Sequence, residues 1–399
     1  MRFKTLQRTV QFSWSPSFVE DIYIATGTSA RHFDESFSST SCLELAQIDY
    51  DQTTSDLPVK RNVGVSSKFQ KIIWTPFGDK FAGSIISGHD NGTITLFNSK
   101  QLIETNTCKA ENITASKQHI GSVKALDLNP FKNELLASGA GESELYVWNL
   151  NSPSQVMVPG PKAQPYDQIS GVSWNKKLEY ILASSYPGRV LVWDLRRNDG
   201  PITKIGDTGH KTLWNNICWD PEVSTSLCLA SEDDHYPVIQ MWDLRFCQAP
   251  VFQMTKHEKG VLSVSWCPKD TELLVSCGKD CKIYIWNPKT GELQGELPYS
   301  SRHWPFEVSW CPRNPSLIGV ASLEGFLTVH TLTGPSVESI LTPQNSPKLA
   351  ESFPGMDFNV RSLPGMQKGV VAAEVEKPVL LPKPPNWMLK SVGARFAVS

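Results

Sequence analysis

Apolar and polar residues alternate in short bursts along this chain, and the bursts come in sets of three. The clearest set lies between His257 and Pro288. There Val261–Cys267, Glu272–Ser276 and Lys282–Trp286 alternate in turn, with turn-forming residues between them. Period-two alternation over so few residues predicts strands, and the short polar turns predict antiparallel pairing. The set recurs along the chain. Its anchor is the tryptophan of the Val-Ser-Trp-Cys-Pro run, and successive anchors are Trp14, Trp74, Leu128, Trp174, Trp219, Trp266 and Trp310. The gaps between them are 60, 54, 46, 45, 47 and 44 residues.

A repeat of about 40–45 residues whose third strand ends in Trp-Asp or Trp-Asn marks a WD-repeat propeller. Here those endings are Trp148-Asn149, Trp193-Asp194, Trp242-Asp243 and Trp286-Asn287. Phe97 and His330 take the tryptophan's place in two diverged copies, and the first copy, Phe12 to Ile48, lacks it. The chain is therefore predicted to be all-β: a seven-bladed WD-repeat β-propeller over residues 1–341. A proline-rich linker (342–385) and a strand-forming tail (386–399) follow it. The segments 201–206 and 249–254 read as fourth, outer strands, and Gln52–Asn62 and Glu104–Lys117 as polar connections. Either residues 2–7 or residues 336–342 would close the ring; the pattern does not choose between them.

Four residues of the sixth copy have the spacing of a hydrogen-bonded structural tetrad: His257 before the inner strand, Ser276 on the second strand, Asp280 in the turn and Trp286 on the third. A carboxylate would hold the imidazole, the imidazole the hydroxyl, and the hydroxyl the indole N–H, leaving no buried donor unpaired. His119, Ser138, Glu142 and Trp148 repeat the offsets with Glu for Asp. His210 keeps its offset from Trp219, but Pro187 and Tyr236 stand where Asp280 would be in their copies. Ser, His and Asp together also suggest a hydrolase. There is no Gly-x-Ser-x-Gly elbow and no oxyanion-hole loop, so no catalytic residue is assigned. Gly-rich phosphate loops are absent too, and no cofactor is expected.

Charge changes the picture little. With 38 basic against 40 acidic residues the net charge is −2, which supplies no field for nucleic acid. No apolar run approaches the ~18 residues of a membrane span, so membrane association is expected to be peripheral. Nine cysteines fall mostly at recurring strand positions, where they act as small apolar side chains in a reducing compartment. The Cys277–Cys281 spacing has no second pair to complete a zinc site, and no metal is expected. Past the ring, eight prolines between Pro343 and Pro385 precede an apolar segment ending the sequence, Pro384-Pro-Asn-Trp-Met-Leu-Lys-Ser-Val-Gly-Ala-Arg-Phe-Ala-Val. A lone strand needs a sheet from somewhere, its own or a partner's.

The opening Phe-Lys-Thr-Leu-Gln-Arg-Thr-Val-Gln-Phe-Ser-Trp-Ser-Pro, the Ile-Cys-Trp-Asp-Pro and Trp-Asp-Leu-Arg copies, and above all this tail resemble the large outer-cage subunit family of the COPII vesicle coat. The resemblance runs from propeller to tail. It implies a structural coat protein that supports vesicle budding from the endoplasmic reticulum towards the Golgi, with no active site of its own. It also implies a partner-binding strand begun by Trp387, Val392, Gly393, Ala394 and Phe396, inserted into the open propeller of the small outer-coat subunit. Other implied partners are further copies of the chain at cage vertices, and inner-coat subunits through regions absent here. The implied place is cytoplasmic: the cytosolic face of the endoplasmic reticulum, its exit sites, and the coated vesicle. Ser391 and Arg395 depart from the family's Pro and Ser in the inserted strand. A second reading is a substrate receptor of a cullin–RING ubiquitin ligase. It would use the Arg196 and Arg245 of two Trp-Asp-Leu-Arg boxes to meet an adaptor.

Overall fold

The computed structural model describes residues 2–30, 41–49, 55–105, 108–115, 118–197, 199–206 and 212–332. Seven four-stranded antiparallel sheets stand in a ring, each a blade with strands a to d from the channel outwards. The inner strands are Val10–Trp14, Phe69–Asp79, Ala125–Leu128, Gly171–Trp174, Trp214–Trp219, Val261–Trp266 and Pro305–Trp310, so each anchor ends or lies within the a strand of its blade. The seven-bladed propeller read from the period is what forms.

The core lies between blades. Radial repetition lets each sheet bury one face on the blade before it and the other on the blade after it. Val275, Ile283 and Ile285 of blade 6, for example, pack with Val308, Trp310 and Val320 of blade 7. Cys267, Cys277 and Cys311 have no exposed surface and serve as small core residues.

The anchor tryptophans do more than fill space. The indole N–H of Trp174 donates to Asp127 O (3.1 Å), Trp219 to Ser173 O (3.0 Å) and Trp310 to Ser265 O (3.0 Å). Each acceptor precedes the neighbouring blade's anchor by one residue. Trp14 closes the series on Ser309 O (3.2 Å), joining blade 1 to blade 7. Trp74 and Trp266 instead bond within their own blades, to Ala82 O and Thr271 O.

The N-terminal strand Arg2–Leu6 closes the ring as strand d of blade 7, paired with Leu327–Thr331. It also bonds to blade 1: Thr5 N–H donates to Ser55 O (2.7 Å) and Leu57 N–H to Thr5 O (2.8 Å). The other candidate, residues 336–342, lies outside the described residues.

Two sequence expectations need correction. The expected connection Gln52–Asn62 runs into strand d of blade 1, Val59–Val65. The expected link Glu104–Lys117 holds strand d of blade 2, Ala110–Asn112, preceded by a short helix, Ser99–Glu104. Both strands face solvent along most of their length, so they show little apolar alternation. The Asn98 side chain caps the helix by accepting from Lys100 N and Gln101 N.

Candidate functional site

In blade 6 the side chains of His257, Ser276, Asp280 and Trp286 form one buried chain. His257 Nδ1 lies 2.9 Å from Asp280 Oδ2 and its Nε2 lies 2.8 Å from Ser276 Oγ, which accepts the Trp286 indole N–H at 2.8 Å. The carboxylate also accepts the backbone N–H of Glu258 (3.1 Å). Burial pushes the Asp280 carboxyl up; the His257 hydrogen bond and charge and the N–H groups of Glu258 and Lys282 outweigh it and hold the group below its ordinary value. Ser276 has no exposed surface. Its hydroxyl is committed on both sides and sealed from any substrate, which disposes of it as a nucleophile.

Blade 3 builds the same chain with one substitution. His119 Nε2 and the Trp148 indole meet Ser138 Oγ, each at 2.7 Å. The carboxylate on His119 Nδ1 is that of Glu144 (3.2 Å), not Glu142. Glu142 is exposed, in a turn where it and Ser143 have positive φ (50° and 55°). Glu144 immediately precedes strand c, Leu145–Asn149, and its extra methylene reaches back to His119. It accepts the N–H of Ile120 (2.8 Å), as Asp280 accepts that of Glu258, and pairs with Lys162 (3.1 Å). Burial pushes this carboxyl up too, but the Ile120 N–H, Lys162 and Tyr146 leave it below its ordinary value.

The other blades meet the same need differently. Register places Ala46, Phe97, Trp193, Trp242 and His330 where Trp148 and Trp286 stand. Trp193 donates to Ser184 Oγ (2.8 Å), and Trp242 to Gln240 Oε1 (2.9 Å). In blade 2 the imidazole comes from strand b: His89 Nε2 lies 3.0 Å from Ser87 Oγ and 2.7 Å from Thr95 Oγ1. In blade 7 His330 Nε2 lies 3.0 Å from Thr328 Oγ1. Sequence reasoning read Phe97 and His330 in the tryptophan's place but missed the polar partners in these blades, because spacing fixes only the third-strand position. His210 lies outside the described residues.

The inner strands line a central channel of about 590 Å³. Its wall mixes polar and apolar side chains, and its charges are mostly paired: Lys71 of blade 2 with Glu307 of blade 7, and Lys176 with Asp127 (3.3 Å). Among the described residues no cluster of His, Cys, Asp and Glu could hold a metal ion. No helix among them is long and apolar enough to cross a membrane.

Arg196 and Arg245 occupy matching turns after the third strands of blades 4 and 5. Each guanidinium folds back as a fork on its own blade's aspartate: Arg196 Nε to Asp194 Oδ1 at 2.9 Å and Nη2 to Oδ2 at 2.6 Å, Arg245 Nε to Asp243 Oδ1 at 3.0 Å and Nη2 to Oδ2 at 2.5 Å. The fork holds the Asp243 carboxyl down at about 2. Both arginines are well exposed, so Arg196→Ala and Arg245→Ala should leave the urea unfolding midpoint unmoved; a clear drop in either would show that the forks hold the turns. The tail residues Trp387, Val392, Gly393, Ala394 and Phe396 lie outside the described residues.

Comparison with known proteins places this propeller. The WD domain, G-beta repeat, matches residues 248–287, from strand d of blade 5 to strand c of blade 6. The protein transport protein Sec31A of Gallus gallus is 40% identical over 405 residues, covering 100% of this chain and 32% of the relative. SEC31 of Mycosarcoma maydis is 34% identical over 422 residues, covering 98% of this chain and 29% of the relative. A solved structure described as "COPII on membranes, outer coat vertex" superposes with a TM-score of 0.73 at 27% identity, covering 87% of each chain. Nothing in these relatives favours the ligase-receptor reading of the two arginine boxes. The chain spans about a third of the length of the Sec31A relative. Along its whole length it is a homologue of the Sec31 protein transport proteins, with the propeller fold found at the vertex of the COPII outer coat.

Proposed function

We propose that this chain is a structural propeller of the COPII outer cage, supporting vesicle budding from the endoplasmic reticulum. The observation that carries the reading is the likeness to Sec31A over the full 399 residues, propeller and tail alike. The polar chemistry fits a scaffold: the Ser–His–carboxylate sets are buried and tie together the strands of a blade. In this reading the protein works at the cytosolic face of the endoplasmic reticulum, at its exit sites and on the coated vesicle. It meets further copies of itself at cage vertices. Inner-coat contacts are assigned to regions of the family outside this chain.

The tail supplies the second contact. Trp387, Val392, Gly393, Ala394 and Phe396 begin a strand that adds to the open propeller of the small outer-coat subunit, with main-chain hydrogen bonds giving affinity and alternate side chains specificity. The test is co-purification of the 399-residue chain with that subunit, followed by sizing. A heterodimer is expected, weaker by about thirtyfold or more in a Trp387→Ala, Phe396→Ala variant, since truncating two buried aromatic anchors at more than about 1 kcal/mol each removes over about 2 kcal/mol. Absence of association would overturn strand donation.

A further inference from the structure

The face formed by the turns between strands a and b carries an arc of exposed apolar side chains. Blades 1 to 5 each present at least one there: Phe18, Phe81, Phe131, Leu178 with Tyr180, and Val223. Phe81 is 80% exposed and Phe131 50%. The corresponding turns of blades 6 and 7 present none among the exposed large apolar residues, so the feature is an arc and not a property of the repeat. Single exposed apolar residues need no explanation; their recurrence in five adjacent turns sets this face apart.

The chain leaves the ring on this same face. Strand c of blade 7 ends at Thr331, and Leu332 N–H donates to Ser316 O (2.9 Å), in that blade's own a–b turn. Arg313 of this turn donates from Nη1 to Ser17 O (3.3 Å) and Val19 O (2.5 Å), flanking Phe18. The exit therefore abuts one end of the arc. Trp387 follows Leu332 by 55 residues (387 − 332) and opens the apolar segment Trp387, Met388, Leu389, Val392 and Phe396. A linker of that length has a root-mean-square span of about 40 Å if flexible and more where prolines extend it, which reaches across the face of a propeller. It holds the tail there at an effective concentration of order millimolar.

We propose that the apolar tail rests in cis on this arc, so that both apolar surfaces leave water together until another sheet takes the tail. The inference uses the strand-donation reading only for what removes the tail; the contact itself is read with no coat partner present, so the two fail separately. The test places the photo-crosslinking residue p-benzoylphenylalanine at Met388 of the full chain. The expected product runs at monomer mass, with crosslinks mapped to residues 15–22, 79–83 and 129–134. In a Phe81→Ser, Phe131→Ser background, where both changes fall on exposed side chains and the fold stays, the yield should drop about tenfold. Crosslinks at dimer mass would overturn the cis contact and assign the arc to a second copy. Crosslinks elsewhere, or a yield unmoved by the double substitution, would overturn it outright.

Discussion

Removing residues 2–6 should destabilise the ring by on the order of 5 kcal/mol, read as a large fall in the urea midpoint. The strand Arg2–Leu6 is the outer member of blade 7, and without it Leu327 and Val329, which have no exposed surface, lose their cover. Leu6 itself belongs to the core shared by blades 7 and 1, with Phe12, Trp14 and Val329. Uncovering a Leu or Val forfeits about 1.5–3 kcal/mol, and each lost ladder hydrogen bond about 0.5–1.5 kcal/mol. The blade would also keep an open strand edge, which invites pairing between molecules. The second loss is topological. Thr5 bonds to Ser55 and Leu57 of blade 1, so the same five residues clamp the first blade to the last. An unchanged midpoint would mean that the inter-blade bond of Trp14 to Ser309 O and the Phe12 contacts suffice for closure.

The sequence made the inner three strands of each blade legible because each is buried on both faces or alternates, and because a repeat forces equal spacing. The outer strands of blades 4 and 5 were legible in 201–206 and 249–254, but others were not, for a physical reason. Ala110–Asn112 is exposed at every residue and Val156–Met157 is two residues long, so neither carries an apolar signature. Ring closure was equally hidden, since two segments offered similar alternation and only long-range pairing selects between them.

The tetrads show the same division. Counting back from the third-strand tryptophan finds Asp280 but misplaces the carboxylate of blade 3 at Glu142, because a glutamate two residues later reaches the same imidazole. Spacing fixes Cα positions; it does not fix side-chain length. The anchor tryptophans were conspicuous by period, yet their use as donors to the neighbouring blade depends on contacts about 45 residues apart in three blades and across the ring in the first. Sequence composition says nothing of the apolar arc either. Phe18, Phe81, Phe131, Leu178 and Val223 occupy turns whose shared face appears only when the blades are assembled.

Replacing His257 by Ala should lower stability by about 3–4 kcal/mol at pH 7, because it strands a buried carboxylate and leaves Ser276 without its imidazole partner. The dependence on pH separates this cause from simple loss of packing. In the native chain the folded-state value of Asp280 lies below its ordinary one of about 3.9, so its pairing stabilises the fold above that pH and is lost as pH falls through the folded value. Without the imidazole, burial is left as the largest influence, and it pushes the carboxyl up. A raised carboxyl binds its proton more tightly in the folded state, so the variant should gain stability as pH is lowered from 7 towards 5, where the native chain gains nothing from this group. The gap between the two urea midpoints should therefore be widest near neutrality and narrow in acid. A gap that stays constant from pH 7 to 5 would mean that His257 acts through packing against Tyr284, whose ring centroid lies 4.8 Å away, and that Asp280 is satisfied by the N–H groups of Glu258 and Lys282 alone.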